Sequence, residues 1–215
     1  MQESPDFRGY APATERNRVP IYSVLEAVLP LEGTVLEIAS GTGQHAVFFA
    51  PRLTPRHWLP SDVSPAARAS ICSWLATTSV ATLHQPLDLD MTQAGWSQQV
   101  RAWQAQTEKQ VPPLMAIVNI NMIHIAPWAA CEGLFSGAES LLKPGNILYL
   151  YGPFKQNGQH TAPSNEAFDR SLRSQNPQWG IRDLTAVEVL ANQHQFQLSK
   201  IIAMPANNLS VVFTR

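Results

Sequence analysis

Residues 35–46 read Val-Leu-Glu-Ile-Ala-Ser-Gly-Thr-Gly-Gln-His-Ala. Val35, Leu36 and Ile38 form a short apolar run that suits a buried strand. Glu37 interrupts the run, and Ser40-Gly41-Thr42-Gly43 ends it. A helical pattern follows at once through Ala46, Val47, Phe49 and Ala50. A strand, a glycine turn and a helix together make a nucleotide-binding corner. The glycines let the backbone approach a ligand and take conformations that a side chain would block. The start of the helix offers free N–H groups.

Two cofactors fit this corner. Gly41-Thr42-Gly43-Gln44-His45-Ala46 satisfies G-x-G-x-x-[GA], and an acid, Asp62, follows about 20 residues on, as dinucleotide sites require. Glu37 separates the alternatives. E-x-x-x-G-x-G resembles motif I of the class I S-adenosylmethionine-dependent methyltransferases. That resemblance implies that Glu37 supports the loop or reaches the methionine amino group, while Ser40, Gly41 and Gly43 pack against the cofactor. A bare glycine turn with no ligand fits less well, because a Glu in an apolar strand needs a partner.

Working outward, the chain alternates strands and helices. Residues 1–14 read as an irregular arm, followed by a helix at about Val19–Leu29 and the strand Thr34–Ala39. Arg56–Asp62 is a second strand, although Pro60 cannot donate to a ladder. Ser64-Pro65 starts a helix with a cap and a first-turn proline. A third strand is expected at Ala81–Leu87, then a helix at Trp96–Glu108 and a strand at Leu114–Asn119. Pro127-Trp128 opens a further helix, and Asn146–Tyr151 is the fifth strand. Residues 152–163 read as a polar loop. Ser164 is expected to cap the next helix, and Thr185-x-x-Glu188 reads as a capping box for the one after it. Gln197–Met204 and Leu209–Thr214 sit so close that they must pair antiparallel.

This order predicts one α/β domain over residues 1–215. Its sheet is doubly wound and mostly parallel, with seven strands and an antiparallel C-terminal strand. Residues 1–18 are expected to lie as an arm over the ligand edge. The terminal antiparallel strand is what the methyltransferase variant adds to the dinucleotide fold, so it favours S-adenosylmethionine over NAD independently of Glu37.

Composition narrows the partners. The 215 residues carry 14% charged side chains and a net charge of −1, with no run of Lys or Arg. Nucleic acid and anionic membrane are therefore not expected partners. The two cysteines, Cys72 and Cys131, make neither a disulfide framework nor a zinc site, and the six histidines show no H-x-x-x-H spacing, so no metal is expected. The polar N-terminus lacks a signal-peptide core, and no apolar run reaches spanning length, so a cytoplasmic location is expected.

Ligands of open α/β sheets bind beyond the C-terminal ends of the strands. Asp62 ends the second strand, where a carboxylate can accept both ribose hydroxyls. Asp88 ends the third, where the methyltransferase resemblance implies a contact to the adenine amino group; Asp90 is a rival for that role. Asn119 ends the fourth strand, and Asn119–His124 should face the transferred methyl group. His124 is either a general base or a packed, hydrogen-bonded residue. Arg16 and Asn17 are candidates for the methionine end of the cofactor. Asn121, Tyr151, Lys155 and His160 are candidates for the acceptor pocket. Arg16 and Arg182 can equally be ion-paired scaffold.

The whole chain resembles the methyltransferase-like 26 family, class I methyltransferase-like proteins. The resemblance rests on S-P-D-F…A-T-E-R-N-R, V-L-E-I-A-S-G-T-G-Q-H-A, P-S-D, I-V-N-I-N-M-I-H-I-A-P-W, L-Y-L-Y-G-P-F-K, S-N-E-A-F-D-R-S-L-R, W-G-I-R-D and M-P-A-N-N-L-S. It spans nearly all of residues 4–215. It implies the fold and an S-adenosylmethionine cofactor, and it leaves the acceptor open. The expected activity is methyl transfer to a small molecule or metabolite. The alternative is a module that binds S-adenosylmethionine as a sensor or scaffold without turnover.

Overall fold

The computed structural model describes residues 6–107 and 110–215. The first five residues of the expected arm, and the expected helix end at Glu108, lie outside the described residues. The chain begins with α1 (Pro12–Val28), β1 (Thr34–Ile38), α2 (Gln44–Phe49), β2 (His57–Pro60) and α3 (Pro65–Leu75). It continues through α4 (Trp96–Thr107), β3 (Leu114–Ile120), α5 (Trp128–Leu141) and β4 (Ile147–Gly152). Then come β5 (Phe154–Gln156), β6 (Gln159–His160), α6 (Pro163–Gln175), β7 (Arg182–Asp183) and α7 (Leu184–Gln193). β8 (Gln197–Met204) and β9 (Asn208–Thr214) close the chain, joined by a 3-10 turn at Pro205–Asn207.

The main sheet has the order β2-β1-β3-β4-β9-β8. β2, β1, β3 and β4 run parallel, and β9 is antiparallel to both of its neighbours. Among the described residues the main sheet has six strands where seven were expected. The segment expected as a third strand runs beside β2 without becoming a strand. Trp58 N donates to Thr82 O and His84 N to Trp58 O, and further on Leu87 N donates to Pro60 O and Asp62 N to Leu87 O. Between these bonds Pro60 and Pro86 have no N–H to give, so the ladder misses rungs and leaves only isolated bridges at Leu83 and Leu87.

Alternation along the strands builds two apolar layers. Leu36, Ile38, Ile117, Leu148 and Leu150 face a cluster that includes Val100 of α4, Leu134 and Phe135 of α5 and Val187 of α7. Val35, Ala116, Val118 and Tyr149 face the other side, against Ile21 and Leu25 of α1 and Phe49 of α2. On α5, Gly133 and Gly137 have no room for a Cβ, because the Met91 backbone and the Trp96 ring press against them. Trp96 Nε1 donates to Gly133 O at 3.0 Å.

Other boundaries differ from the sequence reading. α1 starts at Pro12, so residues 12–18 are helical rather than an irregular arm; a proline in the first turn loses no hydrogen bond. Residues 152–163 are not simply a polar loop. β5 and β6 form a hairpin, β7 joins it in a small sheet, and Phe154 is fully buried in the core. α6 begins at Pro163 with Ala162 at its cap, which places Ser164 inside the helix. α7 is capped by Asp183, whose carboxylate accepts from Thr185 N, so the expected capping box is not used.

Candidate functional site

The strand order turns around at β1 and β3. β1 continues through α2 to β2 on one side, while β3 lies on its other side. Loops leaving the two strands therefore part, and a crevice opens beyond their C-terminal ends. Two cavities occupy this edge.

The first cavity, of about 640 Å³, is lined by Ala39–Thr42 after β1, Asp62 and Val63 after β2, Leu89–Thr92, and residues around Asn121 after β3. Ala11, just before α1, and Ala13 and Thr14 of α1 close it on one side, and Trp179 closes it from the α6–β7 connection. The second, of about 690 Å³, is lined by Arg16 and Asn17 of α1, Asn121, His124, Tyr151, Phe168 of α6 and the Pro205–Asn208 turn, among others. Ala13, Asn121 and Ile125 line both.

Backbone strain gathers at these walls. Ala39 (φ 57°), Asn121 (φ 62°), Ala206 (φ 56°) and Asn207 (φ 58°) hold left-handed conformations. Such residues cost on the order of 1–3 kcal/mol each and persist where the surroundings fix them, often at ligand sites.

The glycine loop is held by side chains behind it. Asp62 Oδ2 accepts from Gly41 N at 2.9 Å, and its Oδ1 accepts from Ser64 N at 2.8 Å. Each carboxylate oxygen keeps a further lone pair, so Asp62 can still accept from a ligand hydroxyl in the cavity it lines. Ser40 Oγ accepts from Ser61 N at 3.2 Å. Gly41 (φ 56°) needs glycine for its backbone conformation. Gly43 needs it for space as well: a Cβ there would lie 2.9 Å from the Ile71 side chain. Gly43 therefore faces α3 and does not line the cavity.

Other expected cofactor residues also stand behind the walls. Glu37 is buried between β1 and β2, and its Oε2 accepts from Trp58 Nε1 at 2.9 Å. Burial pushes its pKa up to about 7, with the Asp62 charge adding to the shift. Asn119 is buried, with Nδ2 donating to Ile38 O at 3.0 Å and Oδ1 lacking a partner among the described residues. Asp88 does not line either cavity; it is solvent-exposed and paired with Arg68 at 2.9 Å. Asp90, its rival, lines the first cavity and accepts from Thr92 N at 2.8 Å.

Arg16 and Asn17 line the second cavity rather than the first. Asn17 Oδ1 lies 2.8 Å from His45 Nε2. Tyr151 lines the same cavity, with Asn17 and Asn208 facing its hydroxyl; burial pushes its pKa upward. His124 is buried edge-on to Phe168, and its Nδ1 has no partner among the described residues. Burial, with the Arg182 charge nearby, brings its pKa down to about 4, so the imidazole is neutral at pH 7 and a weak base.

Lys155 and His160 line neither cavity. Both face Asp169, with Lys155 Nζ at 3.0 Å and His160 Nε2 at 3.3 Å from its Oδ2. Ile181 N and Arg173 Nε engage the other oxygen. Burial works against the Asp169 charge, yet the Lys155 ammonium and the Ile181 N–H hold its pKa below the usual value. Arg182 is scaffold, with no ion pair among the described residues. It donates to the carbonyls of Ile123 and Ala126, at 2.8 and 2.6 Å, and so pins the loop after β3.

The sequence reading took Pro205–Asn208 as the joint between the last two strands and did not place it at the candidate site, where it lines the second cavity. Two adjacent asparagines after Pro-Ala are a left-handed turn signal. β8 runs parallel to β4, so the turn falls at the edge where β1, β3 and β4 end and where the two cavities lie.

The fold is that of the class I S-adenosylmethionine-dependent methyltransferases, an α/β Rossmann-like mixed sheet. A human N-acetylserotonin methyltransferase, solved in complex with S-adenosylmethionine, matches with a TM-score of 0.72 at 11% identity, over 94% of this chain and 52% of its own. A putative O-methyltransferase from Nostoc punctiforme matches with a TM-score of 0.73 at 14% identity, over 95% and 57%. An O-methyltransferase family 2 protein from Planctomyces limnophilus, in complex with apigenin, matches with a TM-score of 0.69 at 17% identity, over 94% and 60%. The chain thus spans little more than half the length of these structures. The chain belongs to the family described as "Protein of unknown function (DUF938)", whose family model matches residues 8–215.

Proposed function

We propose that this chain is an S-adenosylmethionine-dependent methyltransferase acting on a small molecule, with the cofactor in the first cavity and the acceptor in the second. The observation that carries this reading is the junction of the two cavities at Asn121, beyond the strand ends where the order reverses. A donor and an acceptor held on either side of that junction meet without water between them. The resemblance to the methyltransferase-like 26 family supports the same reading.

The first cavity fits the cofactor in size and in chemistry. Asp62 has lone pairs to spare for a ribose diol, Val63, Leu89 and Met91 offer apolar contact to a purine, and Ser40 and Gly41 bring the backbone close. When bound, the cofactor supplies an electrophilic methyl group. Asp62 orients the ribose, the Ala39–Thr42 loop positions the methionine arm, and α1 with Trp179 excludes water. Glu37, Asn119 and Gly43 hold the loop from behind. In the second cavity, Asn121 and Tyr151 orient the acceptor. His124 stays neutral and is suited to hydrogen bonding more than to taking a full proton.

Calorimetry with S-adenosylmethionine, S-adenosylhomocysteine and NAD tests the cofactor. Binding of the adenosyl ligands without NAD supports the reading, and NAD binding without either overturns it. The second reading is a sensor or scaffold that binds the cofactor without turnover. The low basicity of His124 favours it, because no other histidine lines the second cavity among the described residues. Absence of methyl transfer across a broad acceptor screen would select it. No described helix is long and apolar enough to cross a membrane.

A further inference from the structure

The two cavities differ in charge. Among the described residues, Asp62 and Asp90 are the charged side chains that line the first. Arg16 is the charged side chain that lines the second, and no carboxylate lines it. The histidines do not blur this division. Burial brings His45 of the first cavity and His124 of the second down to a pKa of about 4, so both are neutral at pH 7.

From this division we infer that the second cavity takes a small organic anion, a carboxylate or a phosphate monoester, with its charge against Arg16. The inference rests on the proposed function only for the cofactor's place in the first cavity. Arg16 has no ion pair among the described residues, unlike its neighbour Arg18, which pairs with Glu15 at 2.6 Å. The first turn of α6 borders the same cavity through Ser164 and Asn165, and the N-terminal end of a helix favours negative charge. His124 is also on this wall, and its buried Nδ1 has no partner among the described residues. Phe168 and Pro153 give the rest of the wall an apolar surface for a flat organic body. Where the anionic oxygen is itself the methyl acceptor, no proton has to be removed, which makes least demand on a base. Such an acceptor brings its own negative charge to a site whose histidine titrates too low to remove a proton at pH 7.

The test uses matched pairs of an anion and a neutral partner: 3-hydroxybenzoate against 3-hydroxybenzamide, which differ by one charge, and phenyl phosphate against phenol, which differ by nearly two at pH 7. Each is titrated calorimetrically into the full chain, with and without saturating S-adenosylhomocysteine, and into Arg16→Gln. The anion of at least one pair should bind on the order of tenfold tighter than its neutral partner, as one charge-assisted contact would give. Arg16→Gln should abolish that preference and leave S-adenosylhomocysteine affinity within about twofold, with an unchanged melting temperature as the folding control.

Equal binding of charged and neutral partners, or binding of neither at millimolar concentration, overturns the inference. So does a preference that survives Arg16→Gln. If Arg16→Gln instead weakens S-adenosylhomocysteine and spares the preference, Arg16 serves the cofactor's own carboxylate and the inference falls. Failure of S-adenosylhomocysteine to bind defeats the proposed function alone, because the titrations without it still read the second cavity.

Discussion

Asn17 Oδ1 and His45 Nε2 are 2.8 Å apart, and the bond between them ties α1 to the helix that follows the glycine loop. Asn17 borders the second cavity and His45 the first. His45 also stacks on Phe49, with ring centroids 5.3 Å apart. The pair therefore holds the wall between the two cavities from both sides. Asn17→Ala leaves the imidazole without this partner and should lower stability by about 1–3 kcal/mol. Urea denaturation checks the loss. An unchanged midpoint would show that the bond is incidental.

Asp62→Ala releases both Gly41 N and Ser64 N. S-adenosylhomocysteine affinity should drop by about 1–3 kcal/mol, read by calorimetry. Asp62→Asn keeps one strong acceptor and should fall between wild type and Asp62→Ala. Equal affinity in all three proteins would remove Asp62 from the ligand site.

Glu37→Gln preserves an acceptor for Trp58 Nε1 and removes a buried ionisable group. The Glu37 pKa is raised from 4.5 to about 7 in the folded chain. The folded state therefore binds the proton more tightly, and this residue takes stability away as pH rises between those values. The Gln variant should gain stability over wild type at pH 8, and the gain should shrink by pH 5. Since Glu37 stands behind the loop, S-adenosylhomocysteine affinity should stay within a few-fold. Thermal melts across pH, with calorimetry at pH 7, test both statements.

His45 and His124 shift the other way, from 6.5 to about 4, mainly through burial. For each, the unfolded chain binds the proton first. Their contribution is whole above pH 6.5 and is lost as pH falls toward 4, at roughly 1.4 kcal/mol per pH unit for a fully coupled group. Melting temperature should fall between pH 6.5 and 4, and His124→Gln should flatten the slope. A flat profile in wild type would contradict the buried, neutral state.

Asp169 gathers Lys155, His160, Arg173 and the Ile181 N–H. Asp169→Asn leaves these donors without a charge to face and should cost about 3 kcal/mol. Because none of the cluster lines the first cavity, cofactor affinity should be retained. Denaturation and calorimetry on the same preparation separate the two.

The strand, glycine turn and helix at residues 34–49 were legible because their signals are local. A strand, a left-handed glycine and a first-turn proline at Pro65 each act within a few residues. The strand ends were legible for the same reason, which is how Asp62, Asn121 and Tyr151 could be placed at the ligand edge. Residues whose direction depends on distant partners were not legible. Lys155 and His160 turn to Asp169 on α6, and Asp88 turns to Arg68 on α3. The third strand was overread because its apolar pattern is real, while the missing rungs belong to prolines on two separate segments. The role of Pro205–Asn208 depends on which way β8 runs, a property of the assembled sheet.

The tight contact of Gly133 and Gly137 with the Met91–Trp96 segment has a consequence for how this site can be retuned. Leu89–Thr92 forms one wall of the first cavity yet belongs to no strand, so no ladder fixes its depth. Its position is set from outside, by how closely α5 lets it approach. A single methyl group added at Gly133 would push the Met91 backbone inward or α5 outward. The shape of the first cavity is thus adjustable from a residue that does not line it, and change at that helix can alter the cavity while every lining side chain stays the same.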